Sequence, residues 1–203
     1  AGAGGRMGRM LLNAVAENED CTLSGALEHD ASPLLGQDAG LLVANDKIGV
    51  EVSKDRAVAF AGANVIIDFT LPAATLDNMQ AARDAGAAVV LGTTGHTAVQ
   101  EEVILGFTSS VPLIWAANYS LGVNLLLNLV ETAAAALPQT FDIDILEMHH
   151  NQKIDAPSGT ALVLGKAAAQ GRGQDFDAVK QLSREGDTGK RPVGEIGFAT
   201  LRG

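Results

Sequence analysis

The feature that most constrains this 203-residue chain is a phrase that recurs along it: a strand-sized apolar run, a turn, then a helix-length segment. Val65 to Phe69 (VIIDF) leads through a turn to Pro72, a residue tolerated at the first position of a helix. That helix is predicted to run to about Ala85, before Gly86. Ala88 to Leu91 (AVVL) predicts the next strand, Gly92-Thr93-Thr94-Gly95 a loop and Thr97 to Phe107 a helix. Pro112 to Ala117 then predicts a strand and Leu121 to Ala136 a helix. Upstream, Arg6 to Asn18 places Met7, Met10, Leu11, Ala14 and Val15 on one helical face, and Thr22 to Leu27 follows as a short β-type run. Four strand-and-helix units in series predict an α/β fold with a parallel sheet covered on both faces.

After Pro138 the texture changes, because Phe141 to Met148 (FDIDILEM) alternates apolar and acidic residues, as a strand with one wetter face does. A domain change is therefore expected near residue 120, giving one domain over residues 1–120 and a second over 121–203. Hydrophobic residues at 47% and charged residues at 19%, with 23 Gly and only 6 Pro, exclude a disordered tail, a collagen repeat and a charged coiled coil. The uncharged stretch between Glu102 and Glu131 is broken by Pro112, Asn118, Tyr119, Ser120, Asn124 and Asn128, so it does not read as a membrane span. No basic segment followed by an apolar run and a small-residue cleavage site opens the chain, so no secretory signal is expected. The single cysteine, Cys21, can form neither an internal disulfide nor a metal cluster, and a reducing cytoplasm is the simplest home.

Lys plus Arg total 14 against 24 Asp plus Glu, a net charge of −10 that repels phosphate backbones and anionic lipid. Neither nucleic acid nor a membrane is expected as a partner. The excess is uneven: residues 1–146 carry 17 acids and 6 bases, residues 147–203 carry 7 acids and 8 bases. An anionic small ligand is expected to be handled in the second segment, or by local donors.

The opening Ala1-Gly2-Ala3-Gly4-Gly5-Arg6-Met7-Gly8 is a variant of the dinucleotide fingerprint, with glycines at 2, 5 and 8. Glycines permit a tight turn and a close backbone approach to a pyrophosphate, which the N–H groups opening the Arg6 helix then stabilise. Glu28 follows Gly8 by 20 residues at the end of a β-type run, about where a carboxylate meets the adenosine ribose hydroxyls. It would repel a 2′-phosphate, and its neighbour is His29 where an arginine could have paired with one. NADH is thereby favoured over NADPH, although His29 and Arg6 leave dual use open.

The densest chemistry lies in Glu147-Met148-His149-His150-Asn151-Gln152-Lys153-Ile154-Asp155-Ala156-Pro157-Ser158-Gly159-Thr160-Ala161. Two histidines and a lysine end a strand, and Ser158 is the expected N-cap of a helix running to about Ala169. A helix start made of Ser158, Gly159 and Thr160 offers N–H groups and hydroxyls to a carboxylate, while Lys153 and a histidine can supply charge or protons. Adjacent histidines point to opposite sides of an extended chain, and only His29 and His96 remain elsewhere, so no metal site is expected.

The run E-x-H-H-x-x-K-x-D-x-P-S-G-T-A resembles bacterial 4-hydroxy-tetrahydrodipicolinate reductase, also called dihydrodipicolinate reductase. So do Gly2 to Gly8 (GAGGRMG), Gly92 to Gly95 (GTTG), Ala116 to Gly122 (AANYSLG) and Ile196 to Leu201 (IGFATL). The resemblance extends over essentially the whole chain, and the histidine-lysine segment is its most specific part. It implies a Rossmann-type nucleotide-binding domain plus a smaller α+β substrate and oligomerisation domain, with the chain truncated at both ends. It further implies a homotetramer and NAD(P)H-dependent reduction of a small dicarboxylate in diaminopimelate and lysine synthesis.

Carried onto these positions, the resemblance puts the pyrophosphate on Gly2, Ala3, Gly4, Gly5, Arg6 and Met7, and the ribose on Glu28 beside His29. Gly92, Thr93 and Thr94 would lie near the nicotinamide ribose, and Ala116, Ala117, Asn118 and Tyr119 beside the nicotinamide. His149 would be the proton donor or acceptor and Lys153 the second proton donor. His150, Gly159 and Thr160 would hold the substrate carboxylates, with Ser158 close by. Two other readings stand beside it: a dehydrogenase of aspartate or homoserine type, and a nucleotide-binding module without turnover. The first needs no such double-carboxylate cradle as His149 to Thr160, and the second would not require both His149 and Lys153.

Overall fold

The computed structural model describes residues 1–43 and 46–203, and its contacts divide the chain into two compact units, Ala1–Ala116 and Ala117–Gly203.

In the first unit, α1 (Arg6–Ala16) is followed by β1 (Ala26–Leu27), β2 (Val52–Ser53), α2 (Arg56–Ala59), β3 (Val65–Asp68), α3 (Pro72–Ala85), β4 (Ala88–Leu91), α4 (Ala98–Gly106) and β5 (Leu113–Trp115). Pro72 does open α3, and Gly86, at φ 68°, closes it in the left-handed conformation that a β-carbon disfavours. Thr97 caps α4 through a reciprocal box with Gln100. The strands pair in parallel, as the alternation requires: β1 with β2, and β3-β4-β5 with β4 in the middle; one isolated bridge, Asp38 with Glu51, is antiparallel. Val89, Leu91, Ile66, Met79, Ala82 and Ile104 form the core between this sheet and its helices.

Three expectations are corrected here. Strand pairing over Thr22 to Leu27 is confined to Ala26–Leu27, which among the described residues pairs with the two-residue β2 alone. The strands form two ladders, not one, and a half-open pocket of about 520 Å³ is lined by Ala26 on one side and Val65 to Ile67 on the other. Ala1 donates to Ile67 O at 2.9 Å and the Ala3 N–H to Leu27 O at 3.0 Å, so the chain enters the glycine loop with one hydrogen bond to each ladder. Finally, α1 does not turn the expected stripe inward: Met7, Met10 and Ala14 are exposed, while Gly8 and Leu12 are buried. The cause is close approach, because a β-carbon on Gly8 would overlap Gly2 O and the Ala3 backbone. The helix therefore packs along its Gly8–Leu12 line.

The second unit contains α5 (Leu121–Ala136), β6 (Ile143–His149), α6 (Gly159–Gly171), α7 (Phe176–Val179), β7 (Lys180–Gln181) and β8 (Ile196–Arg202). Its sheet is parallel in the order β6-β8-β7, so the last strand is central. The expected alternation holds in β6, which starts two residues later than expected and continues through His149. Ile143, Ile145, Ile196 and Phe198 pack with Ala134, Ala161 and Ala168 of the two helices. Opposite, Leu146 and Met148 are each 70% exposed and Leu201 50%, an uncovered apolar face. Asp144 accepts from Arg184 at 3.0 Å and from Arg191, tying the irregular segment before β8 to the sheet.

Candidate active site

Two groups of the expected residues take shape, one in each unit. In the first, the glycine loop borders a pocket of about 950 Å³ that Glu28 and His29 also line. The N-cap of α1 is Gly5, which has no side-chain oxygen to offer the first N–H groups of the helix. An anion at that helix start would take their place, so the loop fits a pyrophosphate. Glu28, with 8% of its side chain exposed, accepts the Gly4 N–H at 2.6 Å through Oε1, and its Oε2 lies 3.7 Å from His29 Nε2.

The same pocket is lined by Lys54 and Arg56, cations that the sequence reading did not single out. Arg56 Nε donates to Asn78 Oδ1 at 2.7 Å, and Asn78 Nδ2 donates to Asp68 Oδ2 at 2.8 Å. Asp68 Oδ1 accepts the Thr70 N–H at 2.9 Å, the Thr70 hydroxyl at 2.6 Å and the Thr93 hydroxyl at 3.3 Å. A hydrogen-bonded line thus runs from the glycine-loop pocket to the Gly92–Gly95 loop through one fully buried carboxylate. Asp68 was legible in principle as the acid closing an apolar run, VIID. Of the loop itself, Thr93 is buried, Thr94 exposed, and a β-carbon on Gly92 would overlap the Phe69 ring. Ala116 N–H donates to Leu91 O at 3.2 Å, carrying the chain off the end of the sheet. Ala117 is exposed, and Asn118 Oδ1 accepts the Ser120 N–H at 2.8 Å at the start of α5.

In the second unit, β6 delivers Glu147 and His149 on one face and turns His150 to the other, where it is exposed. Lys153 Nζ is 2.8 Å from Asp155 Oδ1, and that contact is the main reason the Asp155 carboxyl sits below its ordinary range. Arg202, at the end of β8, donates from Nε to Lys153 O at 3.2 Å and from Nη2 to Asp155 O at 2.5 Å. The lysine loop is therefore held against the central strand. Ser158 caps α6 as expected, accepting the Ala161 N–H at 3.1 Å. Its own N–H donates to Glu147 Oε1 at 2.6 Å and it is buried, so what it provides is the position of the helix start. Gly159 and Thr160 follow as the first residues of α6, whose N–H groups have no intrahelical acceptor.

Glu147, which carries no role in the sequence pattern, meets several partners in the fold. Oε1 also accepts the Thr200 hydroxyl at 3.1 Å, and Oε2 is 3.3 Å from His149 Nδ1. Burial works against its charge, and the hydrogen bonds from Ser158 and Thr200 together with nearby His149 outweigh it, holding the carboxyl below its ordinary value. Among the described residues no group of three His, Cys, Asp or Glu side chains gathers to hold a metal ion.

Residues 1–119 match the family described as dihydrodipicolinate reductase, N-terminus, and residues 122–203 its C-terminus. The chain belongs to this family. Its curated relatives include the 4-hydroxy-tetrahydrodipicolinate reductases of Rhodopseudomonas palustris strain BisA53, 51% identical, and of Afipia carboxidovorans, 52% identical. Both matches span all 203 residues of this chain, and 74% and 75% of the relatives' own lengths. The reductase of Nitrosomonas europaea is 44% identical over the same span. Among solved structures, a dipicolinate-bound dihydrodipicolinate reductase from Paenisporosarcina sp. TG-14 superposes with a TM-score of 0.67 at 29% identity, covering 98% of this chain and 76% of that one. The dihydrodipicolinate reductases are nicotinamide-dependent, and this member carries the α/β architecture expected of them. No helix among the described residues is long and apolar enough to cross a membrane.

Proposed function

We propose that this protein reduces 4-hydroxy-tetrahydrodipicolinate to tetrahydrodipicolinate, in the synthesis of diaminopimelate and lysine, with a reduced nicotinamide nucleotide as donor. The observation that carries the reading is the grouping of His149, Lys153, Gly159 and Thr160 on one strand–loop–helix unit of a chain 51% identical, over all of its 203 residues, to a reductase so named. The first unit holds the cofactor: the uncapped start of α1 takes the pyrophosphate and Glu28 faces the adenosine ribose. Gly92, Thr93 and Thr94 lie near the nicotinamide ribose, and Ala116, Ala117, Asn118 and Tyr119 beside the nicotinamide. NADH is the preferred form, because the Glu28 carboxylate repels a 2′-phosphate. NADPH remains a usable donor, since Lys54 and Arg56 line the same pocket.

The nicotinamide, when bound, supplies the hydride that reaches the substrate ring after loss of its hydroxyl. The protein's own residues do the rest. The N–H groups of Gly159 and Thr160, the Thr160 hydroxyl and His150 bind the two carboxylates, helped by the positive end of the α6 dipole. Lys153 protonates the ring carbon next to the one reduced, and His149 exchanges a proton with the substrate. The apolar outer face of the second sheet, with Leu146, Met148 and Leu201, supports assembly into a homotetramer. The acidic surface fits a cytoplasmic enzyme of small metabolites.

The deciding experiment follows the fall in near-ultraviolet absorbance of NADH with freshly generated 4-hydroxy-tetrahydrodipicolinate, against aspartate semialdehyde and oxaloacetate. Turnover with the first alone supports the assignment. Turnover with aspartate semialdehyde would move it to the dehydrogenases.

A further inference from the structure

We propose that Glu147 is a positioning residue for His149, holding the imidazole in the tautomer that carries its proton on Nδ1 and presents Nε2 as the acid–base atom. The proposal rests on His149 being the proton-transfer residue of the reaction above.

Two residues apart on β6, the two side chains share a face, and Glu147 Oε2 lies 3.3 Å from His149 Nδ1. Both atoms are shielded from solvent, and neither makes a hydrogen bond of good geometry to any other group among the described residues. The two atoms are thus at ion-pair distance, each the nearest polar partner that the structure offers the other. The two oxygens of Glu147 have separate jobs. Oε1 takes the Ser158 N–H and the Thr200 hydroxyl, which pin the carboxylate to the start of α6 and to β8. Among the described residues, Oε2 has no hydrogen-bond donor besides the imidazole it faces.

An ionised carboxylate accepts and never donates, so a neutral imidazole facing it must carry its proton on the near nitrogen. Both hydrogen bonds to Oε1 favour the ionised form, as does the charge of a protonated His149, and they outweigh the cost of burial. The far nitrogen, Nε2, is then the free acceptor in the neutral state and the free donor in the protonated one. Whichever direction the proton travels, the same atom handles it. A carboxylate that only anchored α6 would need Oε1 alone.

The test is Glu147→Gln in the full chain. Its amide keeps the shape and the acceptor that Ser158 and Thr200 use, and turns an NH₂ toward Nδ1. That nitrogen must then accept, which moves the ring proton to Nε2. Nitrogen-15 NMR of labelled histidine should report Nδ1–H for His149 in the parent and Nε2–H in the variant. In turnover the variant should lose about 10²- to 10⁴-fold in kcat, the range in which presenting the wrong tautomer falls, with KM for NADH unchanged. In a His149→Ala background it should cost nothing further.

An Nε2–H tautomer in the parent overturns the proposal without any variant being made. So does a kcat loss for Glu147→Gln that persists undiminished when His149 is already Ala, since that loss could not act through the imidazole. Failure of the reductase assignment shows itself separately, as a parent that does not turn over the substrate, while the tautomer measurement still reports on the pair.

Discussion

Glu28 Oε1 accepts the N–H of Gly4 at 2.6 Å, so the carboxylate assigned to the ribose is also the one that fixes the glycine loop. Two consequences of losing it are separable. Glu28→Ala frees the loop, which weakens both cofactors, and it removes the ribose partner and the repulsion of a 2′-phosphate, which weakens NADH selectively. The Kd for NADH is expected to rise more than that for NADPH in parallel titrations. Equal rises would leave Glu28 with the loop role alone.

His149 and Lys153 are each expected to lower kcat by ~10² to 10⁴ when changed to Ala, the usual range for a positioned proton-transfer group. NADH affinity, proposed to rest chiefly on the glycine loop and Glu28, should change little. Near-normal kcat in both variants would remove them from the chemistry. Lys153→Ala also releases the Asp155 carboxylate from its partner, so Lys153→Met in an Asp155→Asn background separates the lost proton donor from an unpaired charge.

Thr160→Val removes a hydroxyl at nearly constant volume from the start of α6. Binding of pyridine-2,6-dicarboxylate should weaken by about 1.5 to 3 kcal/mol, the range for a hydrogen bond to a charged group. Inhibition constants against NADH binding measured alone make the comparison, and an unchanged constant places the carboxylate elsewhere.

Gly92→Ala puts a β-carbon into the Phe69 ring. Overpacking of this kind costs about 1 to 3 kcal/mol, seen as a lower midpoint in urea. Gly92→Ala with Phe69→Leu should recover part of the loss, because the clash is with that ring. No recovery would locate the cost in the backbone.

The Glu147 carboxyl is held below its ordinary 4.5 in the folded protein. A depressed acid contributes stability that is present above its unfolded value and lost as pH falls through the folded one. The melting temperatures of the parent and of Glu147→Gln should therefore differ at neutral pH and converge as the solution is acidified below about 4.5. Parallel curves would mean that the carboxylate is not bound more tightly as an ion in the fold.

Much of this was legible in the chain itself. The order of α3, β4, α4, β5, α5 and β6 follows from local periodicity, Pro72 and Gly86 mark the ends of α3 by backbone preferences, and Ser158 caps α6 as its hydroxyl and position predict. The histidine-lysine segment was equally plain, because strand, loop and helix start are contiguous and their side-chain directions follow from period two and helix geometry. Partners that come from distant sequence were not legible. Local pattern could not say that Gly8 presses on Gly2 and so turns Met7 and Met10 outward, nor that β8 lies between β6 and β7. Nor could it say that Thr200 and Arg202, about fifty positions away, hold Glu147 and the Lys153 loop. Residue type and spacing determined which groups are proposed for the chemistry. Only the tertiary structure decided what each of their atoms faces, because hydrogen-bond partners are chosen by proximity in space, and proximity between distant segments exists only once the chain has folded.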